Sequence, residues 1–410
     1  MPADCFTSDL QTLSQAKAHI EKLLPKAVDV EIIRFDQAMG RVLAHNIASP
    51  INVPAFDNSA MDGYAFRYQD IDTTEQFKVI GKSLAGSPFI GQVNIGECVR
   101  ITTGAAIPDD CDCVQMQENT KNENNHLVLL KKPKLGQAIR LAGEDIAKNK
   151  VILHKGRLIK ASDIGLIASL GLSEISVYKP LTVAIFSTGD ELLTPGEAHQ
   201  TAAVYDSNRP AIKALLEKMQ YNVIDLGKVA DNKQCIRDVL LEADRLADCV
   251  ITSGGVSVGE ADFVKEIVND IGHVDFWKIA IKPGKPLAFG RLVNSIFIGL
   301  PGNPVSAFVT FHKIAADALR KMSGAVINQP ILIPAKAAQA IRKRPGRTDF
   351  QRGCYYIEDG NLLVRLEKAQ GSGVFSSFYS SNCFVVLEQE RGDVAVGENV
   401  MIEPFDALLQ

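Results

Sequence analysis

The most informative segment of this chain is Cys249-Val-Ile-Thr-Ser-Gly-Gly-Val-Ser-Val-Gly-Glu-Ala-Asp262. Its first residues are apolar, as in a buried strand, and the residues after it have helical spacing. A glycine-rich turn between a strand and a helix lets the backbone approach an anion closely and points N–H groups at it. The turn matches neither G-x-x-x-x-G-K-[ST] nor G-x-G-x-x-G. It therefore predicts an anion site of another kind, with an ordinary tight turn as the alternative.

Strands and helices alternate on both sides of this stretch. The predicted strands are Val183–Phe186, Val223–Val229, Cys249–Thr252, Leu287–Phe289 and Ile296–Leu300, and the predicted helices are Pro210–Met219, Lys233–Arg245, Phe263–Asp270 and Val305–Arg320. This alternation predicts a doubly wound α/β domain at residues 179–326, with a mostly parallel sheet covered on both faces. Ligand loops of such sheets lie at the carboxyl ends of strands, which selects residues 187–191, 253–262 and 301–304.

The rest of the chain predicts three further parts. Residues 49–145 are short apolar runs interrupted by glycine and proline, typical of a small inserted β-domain. Residues 1–48 together with 146–178 predict an N-terminal helical unit, with helices at 8–24, 36–45 and 162–170 and Ser8 as the first N-cap. Residues 327–410 predict a C-terminal β-barrel-like domain.

Bulk composition excludes several classes of protein. The 410 residues carry a formal net charge of −4, with a pI near 6.0, which argues against non-specific nucleic-acid binding. There is no apolar run of 18 residues and no visible secretory signal, so the expectation is a cytoplasmic protein without a membrane partner. The eight cysteines and seven histidines show no metal-ligand spacing, so neither a zinc nor an iron site is expected.

Charged residues beside the predicted loops suggest the ligand. Lys278, Lys282 and Lys285 lie close together, and the Pro-Gly pair between the last two stiffens the segment. Rigid ammonium groups suit phosphates or an oxyanion, although solvated lysines are the alternative. Glu191 and Asp262 could hold Mg²⁺, which prefers oxygen ligands, although helix capping and first-turn acids are the plainer interpretation.

Three segments of the predicted β-domain are rich in polar residues: 57–64, 100–106 and 143–145. They indicate either a second ligand surface or ordinary connecting loops. The basic segment 342–347 together with Arg352 indicates either a solvated turn or contact with an anionic ligand. Residues 204–208 read as a turn and a helix cap.

Taken together, these motifs resemble the MoeA family of molybdopterin molybdenumtransferases, which includes the E domain of gephyrin. The resemblance covers nearly the whole chain and rests on these stretches: 53–65, 100–108, 143–145, 187–192, 205–208, 253–263, 278–286, 300–304, 344–347 and 371–372. One departure is visible, because the family often carries His where Gly373 stands. No contact is therefore carried over to that position.

The resemblance implies four domains, an elongated homodimer, and transfer of molybdenum from molybdate to adenylylated molybdopterin with release of AMP. It implies that Mg²⁺ assists, and that the small β-domain of one subunit completes the pocket on the α/β domain of the other. The catalytic residues it implies are Asp62, Thr103, Asp145, Glu191, Lys278 and Lys282. The cofactor-binding residues it implies are Ser253, Gly254, Gly255, Ser257, Gly259, Lys285, Pro301, Gly302, Pro304, Arg347 and Ser372. The metal ligands it implies are Glu191, Asp231 and Asp262.

Two alternatives stay open at this point. A molybdopterin adenylyltransferase shares the α/β domain, and a gephyrin-like scaffold would use the same dimer without needing intact acids. The first is disfavoured by the roughly 180 residues before the α/β domain and the β-domain after it. The adenylylation step is expected to belong to a separate partner, alongside other proteins of the cofactor pathway.

Overall fold

The structure, a computed structural model, describes residues 10–25, 29–255 and 263–409. In the first part of the chain the helices are α1 Leu13–Leu23 and α2 Ala161–Ser169, and the strands are β1 Val30–Arg34, β2 Ile47–Ala48, β3 Asn58–Ser59, β4 Gly63–Phe66, β5 Phe77–Ser83, β6 Glu97–Ile101, β7 Cys113–Met116, β8 Thr120–Glu123, β9 His126–Leu129, β10 Ile139–Arg140, β11 Val151–Leu153 and β12 Glu174–Tyr178. Short 3₁₀ turns cover Phe35–Gln37, Tyr68–Asp72 and Gln117–Asn119.

Strand pairing shows how the first part is organised. β1 pairs antiparallel with β12 and β2 with β11, so segments on either side of residues 49–145 close on each other. Between them, six strands form a separate sheet in the order β7-β4-β6-β5-β9-β8. The six-stranded unit is therefore inserted in sequence between the halves of the first unit.

Two of the predicted N-terminal helices differ from the structure. α1 begins at Leu13, where Thr12 and Gln15 cap each other through a capping box, and the predicted cap Ser8 lies outside the described residues. The helix predicted at 36–45 is wrong. Leu43 is fully buried and bridges Val177, so this segment is extended across the core of the unit after one 3₁₀ turn. The helix predicted at 162–170 is confirmed by α2.

The central part of the chain forms an α/β domain. Its helices are α3 Asn208–Lys218, α4 Lys233–Leu246, α5 Phe263–Ile271, α6 Pro304–Thr310 and α7 Ala316–Met322, and its strands are β13 Thr182–Thr188, β14 Leu192–Leu193, β15 Val204–Tyr205, β16 Asn222–Val229, β17 Cys249–Ser253, β18 His273–Lys278, β19 Ile281–Lys282, β20 Pro286–Arg291 and β21 Ile296–Leu300. A π-helical stretch, Phe311–Ala315, joins α6 to α7. The sheet order is β16-β13-β17-β21-β20-β18, with the first four strands parallel and the last two antiparallel.

Alternating side chains of β13 explain why this sheet is covered on both faces. Val183 and Ile185 pack in one core with α3, α6 and α7, whereas Ala184 and Phe186 pack in another with α4 and α5. Successive residues of a strand point to opposite faces, so a strand that is apolar throughout must be buried on both sides. The predicted doubly wound domain is confirmed, although the sequence prediction missed the antiparallel edge strand β18.

The last part of the chain forms a closed barrel. Its strands are β22 Ile333–Ala337, β23 Thr348–Glu358, β24 Asn361–Leu366, β25 Cys383–Leu387 and β26 Asn399–Pro404, with a 3₁₀ turn at Phe375–Phe378. The order β23-β24-β22-β26-β25 is closed by pairing between β23 and β25, and β19 of the α/β domain adds to β23. The barrel-like prediction is confirmed, but the polar eleven-residue strand β23 was missed. In the described part of the chain, no helix is both long enough and apolar enough to cross a membrane.

Candidate functional site

A cavity of about 840 Å³ opens at the carboxyl ends of β13, β17 and β21, which are neighbouring parallel strands. From β13 the chain passes to β16 on one side and then to β17 on the other, so the cavity lies at the switch point of the sheet. Its lining consists of Thr188, Gly189, Glu191, Leu192, Val204, Tyr205, Asp206, Ser207, Asn208, Asp231, Gly254, Gly255, Phe263, Pro286, Pro301, Gly302, Asn303, Pro304, Ser306 and Gly373. The three predicted ligand loops therefore meet in one place.

The glycine turn after β17 needs its glycines. Gly254 and Gly255 have φ values of +98° and +67°, a region that side chains rarely adopt. A Cβ on Gly255 would lie 2.5 Å from Val264 Cγ2. Ser253 is buried at the end of β17 and does not line the cavity. The other predicted residues of this turn, Ser257, Gly259 and Asp262, lie outside the described residues.

The turn between β21 and α6 forms another wall. Pro301, Gly302 and Pro304 all line the cavity, and Pro304 occupies the first turn of α6, where its missing N–H costs nothing. The backbone N–H of Val305 donates to the carbonyl oxygen of Ser372 at 2.9 Å. This bond brings the segment around Ser372 to the cavity, so the C-terminal part of the chain contributes to the site.

Two of the three predicted metal ligands line this cavity. The loop of Glu191 is fixed by a bond from the Val204 N–H to the Glu191 carbonyl oxygen, 2.8 Å long, and Thr188 Oγ1 donates to Asp231 Oδ1 at 3.4 Å. Within the described ranges, no group of three or more His, Cys, Asp or Glu side chains is arranged to hold a metal ion. The third predicted ligand, Asp262, is not described.

None of the three predicted lysines lines the cavity; they lie on the segment that leads into Pro286, which does line it. Lys282 Nζ lies 3.3 Å from Asp349 Oδ2, whereas neither Lys278 nor Lys285 has a carboxylate partner among the described side chains. Gly284 has a φ of +102°, and a Cβ there would lie 2.3 Å from Thr310 Oγ1. The loop therefore packs tightly on α6.

The basic patch around Arg347 differs from a solvated turn. Lys343 is buried, and its Nζ donates to the carbonyl oxygens of Arg344, Arg347 and Gln389 at 3.2, 2.8 and 3.4 Å; burial lowers its pKa. Arg352 is also buried, which lowers its pKa to about 10. The sequence pattern could not show this, because tertiary packing decides which basic residues are covered.

Arg352 connects the barrel to the segment beside the cavity. Its Nε donates to Ser377 Oγ at 3.0 Å and its Nη2 donates to the carbonyl oxygen of Gly371 at 3.2 Å. Both of these partners are neutral. The buried guanidinium has no carboxylate partner among the described residues. Its bond to Gly371 supports the turn that carries Ser372.

The inserted unit gathers its own predicted residues on a different surface. Asp62 Oδ1 accepts hydrogen bonds from Thr103 N and Oγ1 at 2.7 and 2.9 Å, and these bonds hold the pKa of Asp62 below its usual range. The turn that carries Asp145 is tied to the same region by a 2.7 Å bond from Ala142 N to Asp57 Oδ1. No described residue of 49–145 lines the cavity of the α/β domain.

Sequence reasoning missed a polar network under the cavity. Asp206, read from sequence as part of a turn, is buried and accepts bonds from Ser187 Oγ at 2.7 Å and from Arg209 Nε at 3.1 Å. Arg209 Nη1 in turn donates to Asp225 Oδ1 at 2.6 Å. Removing one partner of a buried ion pair is strongly destabilising, so this network holds the loop before α3 in place. The sequence signal for this network was Asp206 itself, an acid that precedes Arg209 by three residues at the start of a helix.

Comparison with known proteins agrees with this architecture. Residues 11–171 match the family described as the MoeA N-terminal region (domain I and II), residues 184–321 match the probable molybdopterin binding domain, and residues 334–405 match the MoeA C-terminal region (domain IV). The chain is 48% identical over 401 residues to a molybdopterin molybdenumtransferase of Haemophilus influenzae, covering 97% of this chain and 99% of that protein. The chain belongs to the MoeA family. A Nostoc protein of the same name is 33% identical over 93% of this chain and 91% of its own length.

The structural similarity to a MoeA protein extends over nearly all of the chain. A crystal structure titled as a molybdopterin biosynthesis MoeA protein from Pyrococcus horikoshii matches with a TM-score of 0.84 and 28% identity, covering 97% of this chain and all of that one. Both MoeA-specific regions flank the α/β domain, so the adenylyltransferase alternative is not favoured. Apart from Gly373, all the residues that line the cavity lie within the region that matches the probable molybdopterin binding domain.

Proposed function

We propose that this chain is a molybdopterin molybdenumtransferase of molybdenum cofactor biosynthesis, which moves molybdenum from molybdate to adenylylated molybdopterin and releases AMP. The observation that carries the proposal is the position of the cavity. It lies at the switch point of the MoeA-type α/β domain, where glycine, carboxylate and proline loops meet beside a lysine-rich segment.

The residues around the cavity suit a ligand that is rich in anionic oxygens. The backbone of Gly254 and Gly255 can approach a phosphate closely, and Lys278, Lys282 and Lys285 supply positive charge nearby. We assign these groups to the pyrophosphate of the adenylylated pterin and to molybdate. Charge stabilisation by fixed groups is the form of catalysis that such an arrangement supports.

The carboxylates of Glu191 and Asp231 fit a divalent ion, because Mg²⁺ takes carboxylate oxygens and usually completes its shell with water and substrate phosphate. When bound, Mg²⁺ would neutralise the charge that develops on phosphate oxygens as the anhydride is cleaved. Asp262 is the third candidate ligand. We propose Mg²⁺ as the cofactor on this donor set.

The residues of the inserted unit would complete the site from a second copy of the chain. Asp62 and Thr103 are joined, and the turn of Asp145 is tied to the same unit, yet none of them lines the cavity of its own chain. A homodimer with a shared site brings the two sets together. The adenylylated substrate requires an adenylyltransferase upstream, which we propose as a partner in the cytoplasm, together with other proteins of the pathway.

The test uses the full chain with adenylylated molybdopterin and molybdate, with and without Mg²⁺. We expect AMP release and molybdenum incorporation into the pterin, with both reduced in Lys282→Ala and Asp262→Ala. Lys336→Ala is the matched control, since Lys336 lies on the barrel outside the cavity lining and its ammonium donates to Asn361 Oδ1. Consumption of ATP in place of AMP release, or wild-type rates in both site variants, would overturn the proposal.

A further inference from the structure

Lys282 is held by an acid from another domain. Its Nζ lies 3.3 Å from Asp349 Oδ2, and the two side chains differ sharply in exposure, 51% for the lysine and 2% for the aspartate. Lys282 lies on β19 beside the cavity, whereas Asp349 lies on β23 of the C-terminal barrel. The contact therefore links the barrel to a lysine of the proposed site.

The backbone fixes this contact. β19 and β23 pair in parallel with Lys282 opposite Asp349, and the Thr348 N–H donates to the carbonyl oxygen of Ala280 at 2.8 Å. A pair whose two backbones are in register loses less conformational freedom than an ion pair between two mobile surface chains. The ammonium and the carboxylate are thus placed by the fold rather than by chance contact.

The carboxylate has few other partners. Asp349 Oδ2 also accepts a 3.1 Å bond from Gln351 Nε2. The ammonium of the neighbouring barrel residue Lys343 is bound instead to three carbonyl oxygens. Among the described residues, Asp349 is therefore paired with the ammonium of Lys282.

We propose that Asp349 is a positioning residue for the transferase reaction, which aims the Lys282 ammonium at anionic oxygens of the substrate. An ammonium has three N–H donors, so a bond to Asp349 leaves two for the ligand. A lysine stem is flexible, and a buried carboxylate at its tip removes part of the ordering cost before substrate binds. This inference rests on the proposed function, because it assigns Lys282 to substrate.

The alternative is that Asp349 only stabilises the junction between the barrel and the α/β domain. Glu403→Gln is a matched control for this, because Glu403 is another buried barrel acid, paired at 2.5 Å with Lys313 of the α/β domain. Neither residue lines the cavity. If Asp349 had a purely structural role, Asp349→Asn and Glu403→Gln should lower kcat/KM by similar factors.

The kinetic experiment compares AMP release by four full-length variants: Asp349→Asn, Glu403→Gln, Lys282→Ala and the double variant Asp349→Asn/Lys282→Ala. We expect Asp349→Asn to lower kcat/KM about tenfold while Glu403→Gln stays within about twofold of wild type. Adding Asp349→Asn to Lys282→Ala should change kcat/KM less than about twofold, since Asp349 acts through Lys282. The proposal would be overturned by equal decreases of kcat/KM in Asp349→Asn and Glu403→Gln, or by a double variant in which the decreases of the two single variants multiply. Tighter substrate binding by Asp349→Asn would also overturn it.

A second measurement does not depend on activity or on the folding of the Asp349 variant. Lys282→Met would leave the buried carboxylate without its ammonium, whereas Lys278→Met removes an exposed lysine with no carboxylate partner among the described residues. We expect a clear fall in Tm for Lys282→Met and nearly none for Lys278→Met, and equal Tm values would overturn the pairing. A wild-type chain that releases no AMP would refute the proposed function while leaving this stability comparison valid.

Discussion

The carboxamide of Asn208 donates from Nδ2 to the carbonyl oxygen of Gly302 at 2.8 Å. This bond joins the first residue of α3 to the turn before α6, and both residues line the cavity. Asn208 Oδ1 is buried and has no hydrogen-bond partner within the described residues. The same side chain therefore braces two walls of the site and leaves an acceptor without a partner.

Asn208→Ala should damage activity more than stability. The loss of one hydrogen bond predicts a decrease of about 1 kcal/mol in the free energy of unfolding. Because the Gly302 turn would no longer be held, AMP release should fall about tenfold or more. Asn382→Ala is the control: it removes two bonds to Tyr355 in the barrel and should keep AMP release at the wild-type rate. Equal activity in the two variants would contradict this role.

Gly284→Ala should destabilise the lysine segment. Gly284 has a φ of +102°, and a Cβ there would approach Thr310 Oγ1 to 2.3 Å. The free energy of unfolding, measured with denaturant, should therefore fall by about 2–4 kcal/mol. Gly397 also has a positive φ, but nothing lies within 4 Å of a Cβ placed there. Gly397→Ala should therefore lower the free energy of unfolding by only about 1 kcal/mol. If the free energy of unfolding falls equally in both variants, packing against Thr310 does not contribute to stability. Gly284→Ala/Thr310→Ala should recover part of the difference.

Removing a carboxylate from the cavity should raise the requirement for Mg²⁺. Glu191→Gln and Asp231→Asn each leave a neutral amide where an oxygen anion stood, so the Mg²⁺ concentration for half-maximal AMP release should rise about tenfold or more. Glu197→Gln serves as the control, because Glu197 is exposed on the same segment and outside the cavity lining. An unchanged Mg²⁺ requirement in both site variants would remove these residues from the metal site.

Mixing two variants of very low activity should restore activity if the site is shared. We expect Asp62→Ala to disable the half of the site on the inserted unit and Lys282→Ala to leave only residual activity in the half on the α/β domain, so a mixed dimer would contain one site with both residues intact. In an equimolar mixture refolded or co-expressed together, about one quarter of wild-type AMP release is expected for random pairing in a two-fold dimer. No recovery in a mixture shown to contain mixed dimers would place the whole site within one chain.

The pH dependence of AMP release should depend on the hydrogen bonds between Asp62 and Thr103. Thr103 N and Oγ1 hold the pKa of Asp62 below its usual range, so the stabilisation from these bonds is present above the unfolded pKa and is lost as pH falls through the folded pKa. Thr103→Val removes the hydroxyl donor and should move the acid limb of AMP release to higher pH. Thr120→Val, outside this pair, should leave the acid limb in place.

Local pattern was enough to predict the α/β domain and its ligand loops. Residues 183–186 of β13, residues 249–251 of β17 and all of β21 are free of polar side chains, and a strand buried on both faces requires this pattern. The glycines at 254 and 255 and the Pro-Gly pair before Lys285 marked the places where the backbone turns sharply. The same reasoning failed at residues 36–45, where helical spacing was overridden by the bridge between Leu43 and Val177.

Residue patterns along the chain were therefore sufficient to predict the class of fold, the strand ends at which a ligand would lie, and the family resemblance carried by the motifs. Which charges are buried, and which partners they have, became visible only in the folded chain. Lys282 and Asp349 are 67 residues apart, and Asp206 reads as an ordinary turn residue until Ser187 and Arg209 close around it. The physical reason is that propensity and periodicity act over a few residues, whereas burial and ion pairing depend on contacts between distant parts of the chain.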